Sequence, residues 1–174
     1  FRLNWENYVT AAQGGEERGM VRLYERGGGY QTYRLPQGVS CTESAGAACA
    51  YERHALEDNE LLRMRGGEVT ADLRDRLGLS ALTLRRVNEL LAPLAVAERQ
   101  HAYIRRVGDG TVEVYGTTRG VAGGYEMWLS AVVDELGLSI ELEYDTAVAG
   151  LFRLSRIRDA SGLSVRVYYP DTEP

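Results

Sequence analysis

The sequence contains no lysine, because all 20 of its basic residues are arginines. This absence excludes a Schiff-base lysine, a P-loop lysine and lysine as a general base. Histidine is scarce as well: His54 and His101 belong to no HxxxH or HExxH pattern. Two isolated histidines supply too few nitrogen ligands for a hydrolytic zinc centre. Carboxylates, hydroxyls and guanidinium groups are the remaining candidates for catalysis.

No apolar run approaches the roughly 20 residues that a membrane-spanning helix needs. Basic residues are outnumbered by 25 acidic ones, giving a formal net charge of -5 and a pI near 5.2. This field repels phosphate backbones, so we expect no nucleic acid partner. With 174 residues, 44% of them hydrophobic and 26% charged, the chain can bury a core without a cofactor. We therefore predict one domain, residues 1–174.

Cysteine is limited to Cys41 and Cys49, which flank a polar, small-residue stretch. Buried structural thiols are out of place there, and exposed free thiols are a liability. The stretch favours a local disulfide, and with it an oxidising compartment such as a bacterial periplasm. Two unpaired thiols are the alternative.

Most of the chain alternates polar and apolar residues in short runs separated by glycine pairs and Asp-Gly turns, which is typical of antiparallel strands. Residues 19–26 and 30–36 predict a hairpin across Gly27–Gly29. Further strands are expected at 49–56, 61–65 and 68–73, and again at 101–107 and over 111–169. About ten strands result.

Helical periodicity is confined to a few segments. One is the amphipathic start, Asn4–Gln13. The strongest runs from Ser80, a plausible N-cap, to about Gln100, with Pro93 expected to kink or split it. We predict an α+β fold in which a strongly curved antiparallel sheet covers two or three helices, with a ligand site in the gap between sheet and helix.

Residues 74–91 offer a different interpretation, because they resemble a DNA-binding helix-turn-helix with Thr83, Arg85, Arg86 and Asn88 facing outward. Arg85, Arg86 and Asn88 would be the residues that contact DNA. Acidic residues are interspersed among these basic ones, which weakens phosphate binding. An amphipathic helix that covers a sheet explains the same leucine pattern.

Motifs for catalysis are weak throughout the sequence. Paired carboxylates such as Glu141 and Glu143 alternate along strands, as solvated faces do, and no serine has a GxSxG context. The glycine clusters fit no phosphate-binding frame. We therefore expect no enzymatic activity. An aromatic and aliphatic set could line an acyl-chain cleft or form plain core: Tyr33, Leu35, Met64, Tyr103, Met127, Trp128 and Phe152.

Two stretches carry a family resemblance. The first is VRLYERGGGYQTYRLP at 21–36 with AYERHALEDNELLRMRGGEVT at 50–70. The second, at 112–159, has a Tyr-x-x-Trp-Leu strand, a strand of leucines and glutamates, and an Arg-Ile-Arg end. Both resemble the periplasmic MucB/RseB regulators and the LolA-like lipoprotein carriers. The regulators carry a second C-terminal domain for which this chain has no room, so a single LolA-like domain is expected.

The resemblance implies an incomplete antiparallel barrel wrapped over helices, located in the periplasm or cell envelope. Its apolar interior would bind a lipid acyl chain or a lipidated protein, with an envelope protein as a possible partner. A purely structural or interaction domain of an envelope assembly is the alternative. Mapped onto this sequence, the inward ligand-binding positions are Val21, Leu23, Tyr33, Leu35, Leu62, Met64, Leu84, Val87, Leu91, Met127, Leu129, Leu142 and Phe152.

Overall fold

The fold is a computed structural model, which describes residues 8–12, 20–24, 29–34, 49–51, 60–64, 69, 71–95, 101–122, 124–145 and 152–169. For residues 8–12, 20, 49–51 and 71–73 only the backbone is described. The elements are β1 (Tyr8–Ala12), β2 (Met20–Tyr24), β3 (Tyr30–Arg34), β4 (Cys49–Tyr51), β5 (Glu60–Arg63), α1 (Ala71–Leu77), α2 (Ala81–Leu91), β6 (Tyr103–Arg106), β7 (Val112–Val121), β8 (Gly124–Val133), β9 (Ser139–Asp145), β10 (Arg153–Arg158) and β11 (Ser164–Arg166).

The described strands form one antiparallel sheet with a branch at β8. Its main path runs β11-β10-β9-β8-β7-β6-β5-β4. The last residues of β8, Ala131–Val133, pair with β9, whereas Gly124–Trp128 pair with β1 on the same edge. Strand β1 leads on to β2 and β3. This path does not close into a barrel among the described strands. A mostly antiparallel sheet with two short helices confirms the α+β prediction at that level.

The glycine-turn hairpins of the sequence are present in the sheet. Strand β2 pairs with β3 across Gly27–Gly29, as Val21 opposite Tyr33 shows. The meander of β7, β8, β9, β10 and β11 also follows the predicted order. In each case the partner strand is the next one along the chain, so local turn chemistry determines the pairing.

Two secondary-structure predictions are wrong at defined places. Tyr8–Ala12 is a strand and not part of an amphipathic helix, because its backbone pairs with both β2 and β8. Residues 71–73, predicted as strand, begin helix α1. The helix from Ser80 ends at Leu91, and residues 92–95 are not helical, so the break predicted at Pro93 is confirmed: proline cannot donate the next backbone hydrogen bond. Residues 96–100, the rest of the predicted helix, lie outside the described residues. The N-cap is confirmed, because the Ser80 hydroxyl accepts the Thr83 N–H at 3.0 Å.

Two apolar cores lie on opposite faces of the sheet, since neighbouring residues of one strand, such as Leu61 and Leu62 or Tyr103 and Ile104, belong to different cores. The helix core is packed beneath α1 and α2, and it consists of Leu62, Met64, Val69, Leu77, Leu79, Val87, Leu91, Ala102, Ile104, Val112, Val114, Ala131 and Val133. The sheet core on the other face consists of Val21, Leu23, Tyr33, Leu61, Tyr103, Tyr115, Tyr125, Met127, Leu129, Leu142 and Leu154.

A bulge in β8 transfers that strand from one core to the other. Leu129 pairs with Tyr115 and Ala131 pairs with Val114, so Ser130 is an extra residue between them. Its hydroxyl accepts the Gly116 N–H at 3.1 Å and donates to the Val114 carbonyl at 3.0 Å. The bulge therefore satisfies the backbone groups that it interrupts.

Neither described helix has the length and apolar character required to cross a membrane.

Candidate functional site

The structure places the sequence-predicted ligand-binding residues on both faces of the sheet. Six of them belong to the sheet core: Val21, Leu23, Tyr33, Met127, Leu129 and Leu142. Four belong to the helix core: Leu62, Met64, Val87 and Leu91. Leu84 is partly buried and packs against this core. The sheet itself separates these two groups, so they do not line one common cleft.

Phe152 lies apart from both groups in an aromatic cluster. Its ring stacks on Tyr144 at 4.9 Å between centroids and lies 4.9 Å from the ring of Trp128. Leu35 and Cys41 lie outside the described residues, and of Cys49 only the backbone is described. The local disulfide accordingly stays a prediction.

An open groove of about 600 Å³ lies between the β8–β9 turn and the β10–β11 turn. Ligand sites in proteins commonly range from about 300 to 1,000 Å³. Much of its wall is apolar, and its lining residues are Thr111, Val132, Asp134, Leu138, Ser139, Ile140, Asp159, Ala160 and Ser161. Leu138 and Ile140 are 55% and 37% exposed, so apolar side chains face solvent there.

Two turns of the same construction form the ends of the groove. One Asp134 carboxylate oxygen accepts the N–H groups of Leu136 and Leu138, at 3.0 and 2.8 Å. One Asp159 oxygen accepts the Leu163 N–H at 3.0 Å in the same way. Hydrogen bonds from Ser161 and from backbone N–H groups hold the pKa of Asp159 below its ordinary value. Both carboxylates are thus used to fix the turns.

Helix α2 holds the first of these turns in place. The Ser80 hydroxyl donates to the Glu135 carbonyl at 2.7 Å, and the Thr83 hydroxyl donates to the Asp134 carbonyl at 2.9 Å. Gly137 has a φ of 79°, and an added Cβ would lie 2.9 Å from the Leu82 carbonyl oxygen. Only glycine permits this close approach. One side of the groove is therefore supported by the helix.

An ion-pair ladder connects the helix to β9 and β10 beside the groove. Arg86 of α2 binds Glu141 and also donates to the Ser139 hydroxyl at 3.0 Å. Glu141 in turn binds Arg158 at 3.0 Å. Because Arg86 is engaged with the sheet, its guanidinium is not presented outward as the helix-turn-helix interpretation requires.

Asn88, the second residue of that interpretation, binds the backbone of Val69. Its side-chain oxygen accepts the Val69 N–H at 2.8 Å, and its nitrogen donates to the Val69 carbonyl at 3.2 Å. The third residue, Arg85, pairs with Glu89 at 2.9 Å. All three side chains considered for DNA contacts therefore have intramolecular partners. Thr83, also expected to face outward, is buried because it packs and hydrogen-bonds against the β8–β9 turn.

A buried polar cluster adjoins the sheet core. Arg105 pairs with Glu113 at 3.2 Å, and the Tyr115 hydroxyl donates to the same carboxylate at 2.8 Å. Burial, together with the Glu113 charge, raises the pKa of Tyr115 well above its ordinary value. Arg105 also lies 3.4 Å from the Gln31 side-chain oxygen, which links β6 to β3. We interpret this cluster as a tie between the two branches of the sheet.

Within the described part of the chain, no group of three or more histidine, cysteine, aspartate and glutamate side chains could hold a metal ion. Among the described residues, the apolar groove is an arrangement that could bind a ligand. No family model, curated protein or solved structure matches this chain. The groove's function must therefore be inferred from its own chemistry.

None of the groove residues is among the thirteen positions that the resemblance suggested. A signal was nevertheless present in the sequence, since DELGLS at 134–139 and DASGLS at 159–164 are variants of one Asp-x-x-Gly-Leu-Ser pattern. Each aspartate and glycine builds one turn. In an antiparallel meander the turn between β8 and β9 and the turn between β10 and β11 lie at the same end of the sheet. The repeated motif could therefore have predicted that these two turns are neighbours.

Proposed function

We propose that this protein is a non-catalytic lipid-binding protein of the cell envelope, which holds an acyl chain or the acyl part of a lipidated protein in the groove. The open apolar groove with exposed Leu138 and Ile140 carries the proposal. Each methylene of a buried acyl chain contributes about 0.8 kcal/mol, so a few polar contacts are enough for orientation.

In this proposal the acyl chain lies against Val132, Leu138 and Ile140, while its polar end meets Thr111 and Ser161 at the rim. Val132 packs against the sheet core, to which Leu142 belongs, so the floor of the groove rests on that core. We propose that the sheet curves as an incomplete barrel along this face. The predicted Cys41–Cys49 disulfide agrees with an exported protein.

Native mass spectrometry of gently purified protein tests the proposal. We expect extra mass matching a fatty acid or phospholipid, or an adduct after incubation with palmitate. Ile140→Glu should weaken palmitate binding by about tenfold or more, because it places a charge against the acyl chain.

Val121→Glu is the matched control, because Val121 and Ile140 are equally exposed, at 37%, and Val121 does not line the groove. It should bind palmitate as the parent protein does. A protein that stays bare after incubation, or an Ile140→Glu variant with undiminished binding, would contradict the proposal. Thermal unfolding of both variants checks that each is folded.

A structural or interaction domain of an envelope assembly is the second candidate. The filled state of the sheet core favours it, since Val21, Leu23 and Met127 are at most 1% exposed. Such a protein would take up no palmitate, so the same mass measurement separates the two candidates.

A further inference from the structure

Strand β11 forms one edge of the sheet. It pairs with β10 and with no other strand that the structure describes. All three of its residues are exposed, and Val165 is 66% and the preceding Leu163 73% exposed. Exposed apolar residues on a sheet edge are unusual, because unpaired edges attract other chains.

The hydrogen-bond register shows which backbone groups are free. Val167 donates to the Ser155 carbonyl at 2.9 Å, and Asp159 donates to the Leu163 carbonyl at 2.9 Å. Inward-facing groups alternate with outward-facing ones along an antiparallel strand. The N–H and C=O groups of Ser164 and Arg166 therefore face away from β10, toward the open edge.

The two faces of this edge differ in chemistry. Val165 lies opposite Ile157, which packs against the sheet core, so this face is apolar. Arg166 lies directly opposite Arg156 on the other face. Arg156 forms an ion pair with Glu143 at 3.2 Å, so the Glu143 carboxylate is already used by Arg156. An acidic side chain on the outer side of β11 would relieve this juxtaposition of like charges.

We propose that β11 accepts an additional strand from a partner protein, an extended segment that alternates apolar and acidic residues. Its backbone would pair with Ser164 and Arg166, its apolar residues would lie beside Val165, and an acidic residue would face Arg166. A second copy of β11 fits less well, because it would bring two further arginines into the positive row of Arg156 and Arg166.

The test uses the capped peptide Val-Glu-Val-Glu-Val, with Val-Lys-Val-Lys-Val as its control, on the isotope-labelled full chain. Amide hydrogen exchange followed by NMR should show that Val-Glu-Val-Glu-Val protects the N–H groups of Ser164 and Arg166. Affinity for the lysine peptide should be about tenfold lower, since charges directly opposite across strands attract or repel. Arg166→Glu should reverse this preference, whereas Arg76→Glu on α1 should leave it unchanged.

Three outcomes of the peptide experiments would overturn the proposal: no protection of these two amides by the glutamate peptide, equal binding of both peptides, or an Arg166→Glu variant with the parent's preference. Protection in concentrated protein without peptide would also overturn it, in favour of pairing between two copies. None of these readouts depends on acyl-chain binding. Arg166→Glu replaces an exposed side chain next to another arginine, so the variant should fold.

Discussion

At the scale of single residues, a few polar side chains stabilise the fold by hydrogen-bonding to the backbone of other segments. Asn88 is an example, since its amide satisfies both backbone groups of Val69, which is buried. A helical asparagine surrounded by arginines is a candidate for base contacts when only the sequence is known. The structure gives it a different role, because a buried backbone segment needs both a donor and an acceptor.

Asn88→Ala should lower the free energy of unfolding by about 2 kcal/mol, because the N–H and C=O of Val69 would lose their partners in a buried setting. Urea denaturation measures the change. Glu89→Ala, one position further along α2, removes only exposed ion pairs and should cost clearly less than Asn88→Ala. Equal losses of unfolding free energy in the two variants would show that the Asn88 hydrogen bonds contribute no more than exposed ion pairs.

At the scale of elements, the two groove turns share a sequence pattern and differ in their surroundings. Gly137 and Gly162 have φ values of 79° and 87°, so any side chain is strained at either position. An added Cβ at Gly137 would also meet the backbone of Leu82, whereas at Gly162 it would meet nothing within 4 Å.

Gly162→Ala should therefore cost about 1 kcal/mol, from backbone strain alone. Gly137→Ala should cost at least about 2 kcal/mol more, because α2 has to move away from the turn and backbone atoms cannot adjust as a flexible side chain does. Thermal unfolding of the two single variants compares them directly. Similar melting temperatures would mean that the contact between α2 and the turn is loose.

The sequence predicted elements whose causes are local. The hairpin across Gly27–Gly29 and the N-cap at Ser80 depend on turn and capping chemistry that neighbouring residues supply. Strand β1 depends instead on Gly124–Trp128 of β8, more than 110 residues further along the chain, so its own residues do not reveal it. The bulge at Ser130 is also not evident from the sequence. Leu129 and Ala131 are two residues apart, so a regular strand would place them on the same face, yet they lie on opposite faces of the sheet.

At the scale of the whole molecule, two titratable residues affect stability at opposite ends of the pH range. Burial, and then the charge of Arg63, lowers the pKa of His101, whose ring lies 4.3 Å from that of Tyr125. Burial raises the pKa of Tyr115. The folded state thus favours the neutral form of both side chains.

The unfolded protein binds a proton at His101 more readily, so its stabilising contribution is complete above about pH 6.5 and is lost as the pH falls. Unfolded Tyr115 releases its proton more readily, so its contribution is complete below about pH 10 and is lost as the pH rises. Urea unfolding at a series of pH values should show both declines. His101→Gln should flatten the decline below about pH 6.5, and Tyr115→Phe the decline above about pH 10. Unaltered slopes would contradict these assignments.

The branch at β8 has a consequence for the order in which the protein is assembled. A ribosome releases β1, β2 and β3 early, yet the edge to which β1 attaches becomes available only when Gly124–Trp128 have been made. For most of its synthesis the three-stranded branch is without its anchor, and its apolar residues Val21 and Leu23 have no sheet core to enter. The branch of β1, β2 and β3 is therefore exposed to other chains until β8 is present, so the β1–β8 pairing should form late in folding.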